Sequence, residues 1–224
     1  MSKRFIVQIN PAGWLTLAGL AIDLAAFFLL LDMGKVEGSR ALETAASGES
    51  RFFLAISLMY LGMLADAFDG IVARKFRMES EFGRYLDGFV DVFNYLVLPN
   101  MALWRLGFSG PPAAAVMSVM IACGVLRLSK FNIIGNIKDE KGDRKYLGMP
   151  VFWSQLLFFP LFSAHVFLGA EIFFAACAVV WTAMSIAFIY NSPFFKPKNP
   201  WIIAGITLSL SIGALVLFLM DRHP

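Results

Sequence analysis

Long apolar stretches alternate along this chain with short polar segments that are rich in Gly or Pro. A helix needs about 20 mainly apolar residues to cross the hydrocarbon core of a bilayer. Seven stretches meet this requirement, at 12–33, 52–74, 84–106, 112–134, 149–169, 171–190 and 200–220. The breaks between them carry turn-forming residues, such as Gly110-Pro111-Pro112 before the fourth stretch. The pattern predicts an all-α fold, a polytopic transmembrane helical bundle of about seven spans that forms one domain over residues 1–224.

Composition and charge support a membrane location. Hydrophobic residues make up 58% of the 224 residues and charged residues only 16%, whereas soluble domains carry about 25% charged residues. If the N-terminus is cytoplasmic, 14 of the 19 Lys and Arg residues fall on the cytoplasmic side. These are Lys3, Arg4, Arg74, Lys75, Arg77, Arg84, Arg127, Lys130, Lys138, Lys141, Arg144, Lys145, Lys196 and Lys198. The positive-inside rule therefore places the N-terminus in the cytoplasm. The aromatic stretches lack interleaved basic residues, which argues against a nucleic-acid partner.

The second predicted span ends in a polar helical face. Asp66, Asp69, Gly70, Ala73 and Arg74 are spaced i, i+3, i+4, i+7 and i+8, which places them on one side of a helix. Because Gly70 and Ala73 lack bulk, a flat group such as a nucleotide base has room beside them. Arg74 is placed to take a phosphate oxygen.

The third predicted span begins with a matching face, since Gly83, Asp87 and Asp91 are spaced i, i+4, i+8. The connection over 75–82 is short, so the two helices are expected to be antiparallel neighbours whose four aspartates converge near the cytoplasmic surface. Ionisable residues at this depth are costly and are usually functional. Four carboxylates so close need a counter-ion, and oxygen ligands suit Mg²⁺ or Mn²⁺. Two such ions would form a clamp for displacement at phosphorus.

The run Asp66-x2-Asp69-Gly70-x2-Ala73-Arg74-x8-Gly83-x3-Asp87-x3-Asp91 resembles the signature of the CDP-alcohol phosphatidyltransferase family at every defining position. The resemblance implies a six-helix membrane core, a homodimer, and a cytoplasmic site that transfers a phosphatidyl group from CDP-diacylglycerol to an alcohol, releasing CMP. It implies two divalent metal ions, Mg²⁺ or Mn²⁺, bound by Asp66, Asp69 and Asp87, with Asp91 completing the second metal site and acting as catalytic base. It also implies that the CDP-lipid is bound by Asp69, Gly70, Ala73, Arg74 and Gly83.

A second polar region lies at the cytoplasmic end of the fourth predicted span. Arg127 and Lys130 lie three residues apart, and their residue types alone fit either an anion site or cations that snorkel to the membrane surface. The stretch Arg127-Leu-Ser-Lys130-Phe-Asn132 and the later Gly148-Met149-Pro150 resemble elements of phosphatidylserine synthases. This resemblance implies that Arg127, Lys130 and Asn132 bind the acceptor and that L-serine is the acceptor. Lys130 stands where an arginine is usual, which keeps the charge but loses the bidentate fork.

Two alternatives stay open. The same cations would accept a phosphorylated acceptor such as glycerol 3-phosphate or inositol phosphate. Intramembrane carboxylates also serve cation-coupled transporters, although such sites lie near the midplane between repeats and no repeat is evident here.

Three further features carry expectations of their own. Asn10-Pro11 and Thr16 loosely match the start of the family pattern, which implies a nucleotide contact from Asn10 or Thr16. Asp23 lies in the middle of the first span, where it is protonated, paired or part of a dimer contact. Residues 138–145 are predicted to form a solvated cytoplasmic loop, with closure over the site as the alternative.

Overall fold

Seven helices and one small sheet make up the part of the chain that the structure describes. The structure is a computed structural model that describes residues 9–33, 50–135, 137–138, 144–165, 168–195, 197 and 199–221. The helices are α1 (Pro11–Asp32), α2 (Ser50–Lys75), α3, α4 (Pro111–Ile134), α5 (Trp153–His165), α6 (Ala170–Ile189) and α7 (Pro200–Asp221). Helix α3 is α-helical over Glu81–Asp91 and Leu98–Arg105, and a π-helical turn over Val92–Val97 joins these two parts.

Each predicted span corresponds to one helix, and the prediction of a polytopic all-α membrane protein is confirmed. Five helices contain segments long and apolar enough to cross a membrane: Pro11–Asp32, Arg51–Lys75, Pro111–Ile134, Glu171–Ile189 and Trp201–Met220. In α3, the π-helical turn divides the predicted third span into shorter α-helical parts.

Helix α5 is shorter than the predicted span 149–169. Its 13 residues give a length of about 20 Å, less than the roughly 30 Å of the hydrocarbon core. Gly148 has a φ of +76°, and the Met149 amide donates to the Ala187 carbonyl at 3.1 Å. The chain is therefore tied to α6 before α5 begins.

The helices that carry the aspartates have defined starts. Asn10 caps α1 by accepting from the Gly13 amide at 2.8 Å, and Pro11 occupies the first turn. Ser80 caps α3 by accepting from the Gly83 amide at 3.0 Å. In addition, the Asn10 side chain donates to the Met78 carbonyl at 2.6 Å. This last bond ties the start of α1 to the connection between α2 and α3.

Helix α2 lies between two other helices, since α1 and α7 both pack along it, and α4 pairs with α6. Small residues allow α1 and α2 to approach closely. A Cβ added at Gly19 would lie 3.1 Å from the Ala65 Cβ, and one added at Gly62 would overlap the Asp23 carboxyl group.

Asp23 is completely buried, so it lies inside the protomer and not at a dimer surface. Neither of its oxygens has a hydrogen-bond partner among the described residues.

A three-stranded antiparallel sheet of β1 (Ile137–Lys138), β2 (Arg144–Leu147) and β3 (Pro193–Phe194) flanks the helices. Lys138 pairs with Arg144, and Tyr146 pairs with Phe194. The predicted loop 138–145 therefore begins in β1 and ends in β2, and these two strands pair with each other. Strand β2 also pairs with β3, a segment almost 50 residues further along the chain. The sheet joins the segment after α4 to the segment after α6.

Candidate functional site

The aspartates of α2 and α3 meet in one cluster, as their spacing predicts. Asp66, Asp69 and Asp87 each offer a carboxylate oxygen, and these oxygens all lie within 4.8 Å of one another. The Asp66 carboxyl group is within hydrogen-bonding reach of both Asp87 and Asp91. Asp69 is only 5% exposed. The two helix faces thus form one acidic site.

The donor set of this cluster fits a hard divalent cation. Every candidate ligand is a carboxylate oxygen, the donor type that Mg²⁺ and Mn²⁺ prefer. Negative charges at this spacing repel one another strongly, and a bound cation would relieve that repulsion. The three residues gathered within 4.8 Å therefore fit the metal site that the sequence implies.

Two hydroxyl groups from neighbouring elements donate hydrogen bonds to the cluster. The Thr16 hydroxyl on α1 donates to Asp69 Oδ2 at 2.5 Å, and the Tyr95 hydroxyl in the π-helical turn donates to Asp66 Oδ2 at 2.6 Å. Hydrogen bonds to an ionised acceptor are short and strong. Asn10 and Thr16 are the residues expected to contact the nucleotide. In the structure Thr16 bonds to a carboxylate, and Asn10 caps a helix. Tyr95 was missed by the sequence analysis, although it lies four residues after Asp91 and so continues the spacing of the acidic face.

Four aspartates and residues of α4 and β2 line one cavity of about 660 Å³. Its lining consists of Asp66, Ala67, Asp69, Gly70, Arg74, Glu79, Asp87, Asp91, Tyr95, Arg127, Leu128, Phe131, Lys145, Tyr146, Pro150, Val151, Phe152, Phe195, Pro197 and Ile203. The lining thus combines the acidic cluster with Arg127, Lys145 and several aromatic rings. A cavity of this size holds a drug-sized ligand.

The residues expected to bind the CDP group divide into two sets. Gly70 and Arg74 line the cavity together with Asp69, and a Cβ added at Gly70 would lie 3.2 Å from an Arg74 guanidinium nitrogen. Gly70 therefore leaves room for Arg74 to fold back beside the cluster. Ala73 and Gly83 are not among the cavity-lining residues. Instead, the Ala73 carbonyl accepts from the Met78 amide at 2.9 Å, and the Gly83 amide donates to Ser80 in the α3 cap.

Arg127 is a buried basic residue of the cavity lining. It is 5% exposed, its Nε donates to the Met149 carbonyl at 3.1 Å, and its guanidinium lies 5.1 Å from the centre of the Phe131 ring. Burial raises the pKa of the nearby Tyr146 phenol, and Arg127 and Arg74 oppose that shift. The Tyr146 hydroxyl is thus protonated at neutral pH, where it can donate a hydrogen bond.

The structure places the other two residues of the predicted acceptor site away from the cavity lining. Lys130 Nζ donates to Asn191 Oδ1 at an exposed position. The Asn132 side chain lies against Gly88, where a Cβ added to the glycine would be 2.9 Å from Asn132 Nδ2. Lys145 and Tyr146, by contrast, line the same cavity as Arg127. The spacing around Arg127 does not indicate them, because they belong to strand β2, in which Lys145 pairs with β1 and Tyr146 pairs with β3.

The fold and the site together define the class of protein. It is a polytopic helical membrane protein whose cavity carries a cluster of carboxylates that could bind a metal ion. The model of the CDP-alcohol phosphatidyltransferase family matches residues 9–193, and the chain belongs to this family. Helix α7 lies outside the matched range, yet its Ile203 lines the cavity.

Curated relatives place the chain near two kinds of transferase. It is 39% identical over 102 residues to a CDP-diacylglycerol–serine O-phosphatidyltransferase of Bacillus subtilis (strain 168), covering 43% of this chain and 53% of the relative. It is 35% identical over 97 residues to the protein of the same name from Methanocaldococcus jannaschii, covering 43% and 44%. It is also 26% identical over 187 residues to a phosphatidylcholine synthase of Agrobacterium fabrum (strain C58), covering 82% and 75%. The matches to the serine transferases thus span about half the length of those relatives.

Proposed function

We propose that this protein transfers a phosphatidyl group from CDP-diacylglycerol to the hydroxyl of a small alcohol and releases CMP. L-serine is the acceptor that we favour. The observation that carries the proposal is the cluster of Asp66, Asp69 and Asp87, whose carboxylate oxygens lie within 4.8 Å of one another beside Arg74. It combines the chemistry needed to hold a pyrophosphate through cations with an arginine for a phosphate oxygen.

The divalent cations are assigned to the cluster of four aspartates. Asp66, Asp69 and Asp87 would hold one ion, and Asp91 would complete the site of a second. When bound, Mg²⁺ or Mn²⁺ supplies positive charge that stabilises the phosphates and the departing CMP. Arg74 and the space left by Gly70 are assigned to the CDP group, with Ala73 and Gly83 shaping the backbone around it.

The chain's own contribution to the reaction is to activate and orient the acceptor. Asp91 is assigned as the general base, since a hydroxyl is a poor nucleophile until a nearby carboxylate takes its proton. The acceptor oxygen forms a bond to the phosphorus that carries the lipid, and the bond from that phosphorus to the oxygen of CMP breaks. The proton passes to Asp91, and the electron pair of the broken bond leaves with CMP.

Arg127 supports an acceptor with an anionic group. Its guanidinium lines the same cavity as Asp91, and Lys145 lies on the same lining. A carboxylate such as that of serine pairs well with the planar guanidinium. Two relatives named as serine transferases agree with this assignment. Lys130 and Asn132 remain predicted acceptor residues that act from outside the lining. A phosphorylated alcohol is the alternative that the same charges allow.

Choline is a second candidate acceptor, favoured by two observations. The alignment with the Agrobacterium phosphatidylcholine synthase covers 82% of this chain, much more than the alignments with the serine transferases. The rings of Phe131, Tyr146 and Phe152 line the cavity, and aromatic faces attract quaternary ammonium groups. Arg127 opposes this candidate, because a buried guanidinium repels a cationic acceptor.

We further propose that the site and the N-terminus face the cytoplasm, where 14 of the 19 Lys and Arg residues are expected. A homodimer embedded in membrane lipid and a single domain over residues 1–224 complete the proposal.

The test is release of CMP by purified protein supplied with CDP-diacylglycerol, Mn²⁺ and, in separate reactions, L-serine, choline, glycerol 3-phosphate or inositol phosphate. Serine-dependent release is the expected result. Arg127→Gln should raise the KM for serine at least tenfold and change the KM for the lipid donor less. Arg105→Gln is the matched control. Arg105 is not among the cavity-lining residues, and it donates to the Leu31 carbonyl from the end of α3 that lies away from the aspartates.

The outcomes separate the levels of the proposal. Release with choline alone, unaffected by Arg127→Gln, would replace serine by choline as the acceptor. A preference for a phosphorylated alcohol would likewise change only the acceptor. No CMP with any alcohol would overturn the transferase assignment and return attention to a cation-coupled transporter.

A further inference from the structure

Tyr95 occupies an unusual position beside the acidic cluster. Its side chain is 3% exposed, it lines the cavity, and its hydroxyl donates to Asp66 Oδ2 at 2.6 Å. A phenol is a neutral donor, so it binds one oxygen of the carboxylate without competing for the cation. The other oxygen of Asp66 is left for the cluster.

The π-helical turn that carries Tyr95 has a local cause. In an α-helix the Tyr95 carbonyl would accept from the amide of residue 99, which is Pro99 and has no N–H. The turn instead uses wider bonding, with the Leu98 amide donating to the Phe93 carbonyl. Turns of this kind occur often at functional sites.

Two carbonyl groups of this turn accept hydrogen bonds from side chains, one on α5 and one further along α3. The Ser154 hydroxyl, at the start of α5, donates to the Tyr95 carbonyl. The Asn100 amide donates to the Leu96 carbonyl at 2.7 Å, and Asn100 in turn accepts from the Trp181 indole at 2.8 Å. All of these side chains are buried. The position of Tyr95 is therefore set by tertiary contacts with α5 and α6.

We propose that Tyr95 is a positioning residue for the divalent-cation site, and that the π-helical turn holds its hydroxyl where it orients the Asp66 carboxylate. This inference rests on the proposed metal-dependent transfer. Partners that orient metal ligands commonly matter almost as much as the ligands. Without the hydroxyl, Asp66 loses a donor inside a buried site and rotates more freely, so it binds the cation less tightly.

Tyr60 offers a matched control. It is also a buried tyrosine, but its hydroxyl donates to the backbone carbonyl of Gln155 at 2.9 Å. Tyr60 is not among the cavity-lining residues. Removing either hydroxyl costs one buried hydrogen bond, but only the Tyr95 hydroxyl contacts a proposed metal ligand.

The experiment measures Mn²⁺ binding without the lipid donor, from the electron paramagnetic resonance signal of free Mn²⁺ in titrations of detergent-purified protein. We compare the wild type with Tyr95→Phe, Tyr60→Phe and Asp66→Asn. Tyr95→Phe should raise the Kd for Mn²⁺ about 10- to 100-fold, and Tyr60→Phe should leave it within about twofold of the wild type. Because the ring is kept, both tyrosine variants should retain a cooperative thermal transition without metal.

The outcomes distinguish this inference from the function on which it rests. Wild-type binding that is lost in Asp66→Asn but unchanged in Tyr95→Phe would overturn the role of Tyr95 and leave the metal site intact. Equal weakening in Tyr95→Phe and Tyr60→Phe would also overturn it, because the effect would then be general. Absence of Mn²⁺ binding by the wild type would overturn the metal site and this inference together.

Discussion

The hydrogen bond between Thr16 and Asp69 provides a quantitative test of how α1 supports the cluster. Replacing Thr16 by Val keeps the shape of the side chain and removes its hydroxyl. Thr16 is 5% exposed, as is Asp69, and the two oxygens lie 2.5 Å apart. Asp69 therefore loses a donor that water cannot easily replace.

The expected size of the effect follows from the charge of the acceptor. A hydrogen bond to a charged group contributes about 1.5–3 kcal/mol, and each 1.4 kcal/mol corresponds to about a tenfold change in affinity. If the bond is made fully only when Asp69 is ionised and bound to a cation, Thr16→Val should raise the half-saturating Mn²⁺ concentration roughly 10- to 150-fold.

The assay is the dependence of CMP release on Mn²⁺ concentration at saturating lipid donor, and α7 offers a closely matched control. Thr207 is a completely buried threonine that donates to the carbonyl four residues earlier, Ile203, at 2.8 Å. Thr16 makes the same kind of bond to the Ala12 carbonyl at 3.1 Å. Thr207→Val should leave the Mn²⁺ dependence unchanged. Similar Mn²⁺ dependence in both variants would refute the argument that the Thr16 hydroxyl supports a metal ligand.

Two further predictions concern the base and the helix contact beneath the cluster. Asp91→Asn should lower kcat about 10²- to 10⁴-fold, because an amide cannot accept the proton. Binding of CDP-diacylglycerol, measured in a filter assay, should remain detectable. Near-normal turnover would remove Asp91 from the base role. Gly62→Ala should lower the free energy of unfolding by about 1–3 kcal/mol, because its Cβ would overlap the buried Asp23 carboxyl. The control Gly205→Ala, whose Cβ would meet nothing within 4 Å, should be neutral or stabilising in the same thermal melt, and a neutral Gly62→Ala would show that the α1–α2 contact adjusts freely.

Local patterns were sufficient to predict the helices and the acidic face. The seven apolar stretches correspond to seven helices in the described part of the chain, because the bilayer requires long apolar helices whatever their tertiary neighbours. The convergence of Asp66 with Asp87 was likewise predictable, since helical spacing and a short connection determine it.

Features that depend on contacts between distant segments were not predictable from spacing. The π-helical turn is stabilised by Ser154 on α5, and only Pro99 gives a local sign of it. Lys145 and Tyr146 line the cavity from strand β2, in which Lys145 pairs with Ile137 of β1 and Tyr146 pairs with Phe194 of β3. The acceptor role of Lys130 is implied by the family resemblance and stays a prediction, whereas the bond of its side chain to Asn191, after α6, could not be read from spacing.

The most direct test of the central claim is the identity of the lipid product. Purified protein is incubated with CDP-diacylglycerol, L-serine and Mn²⁺, and the lipid is analysed by mass spectrometry, in parallel with a chelator-treated sample and with Asp87→Asn. The proposal predicts a phosphatidyl ester of the acceptor in the first reaction, matched by an equal amount of CMP, and almost none in the other two. Equal product from Asp87→Asn, or no phosphatidyl product from the wild type with any alcohol supplied, would contradict it.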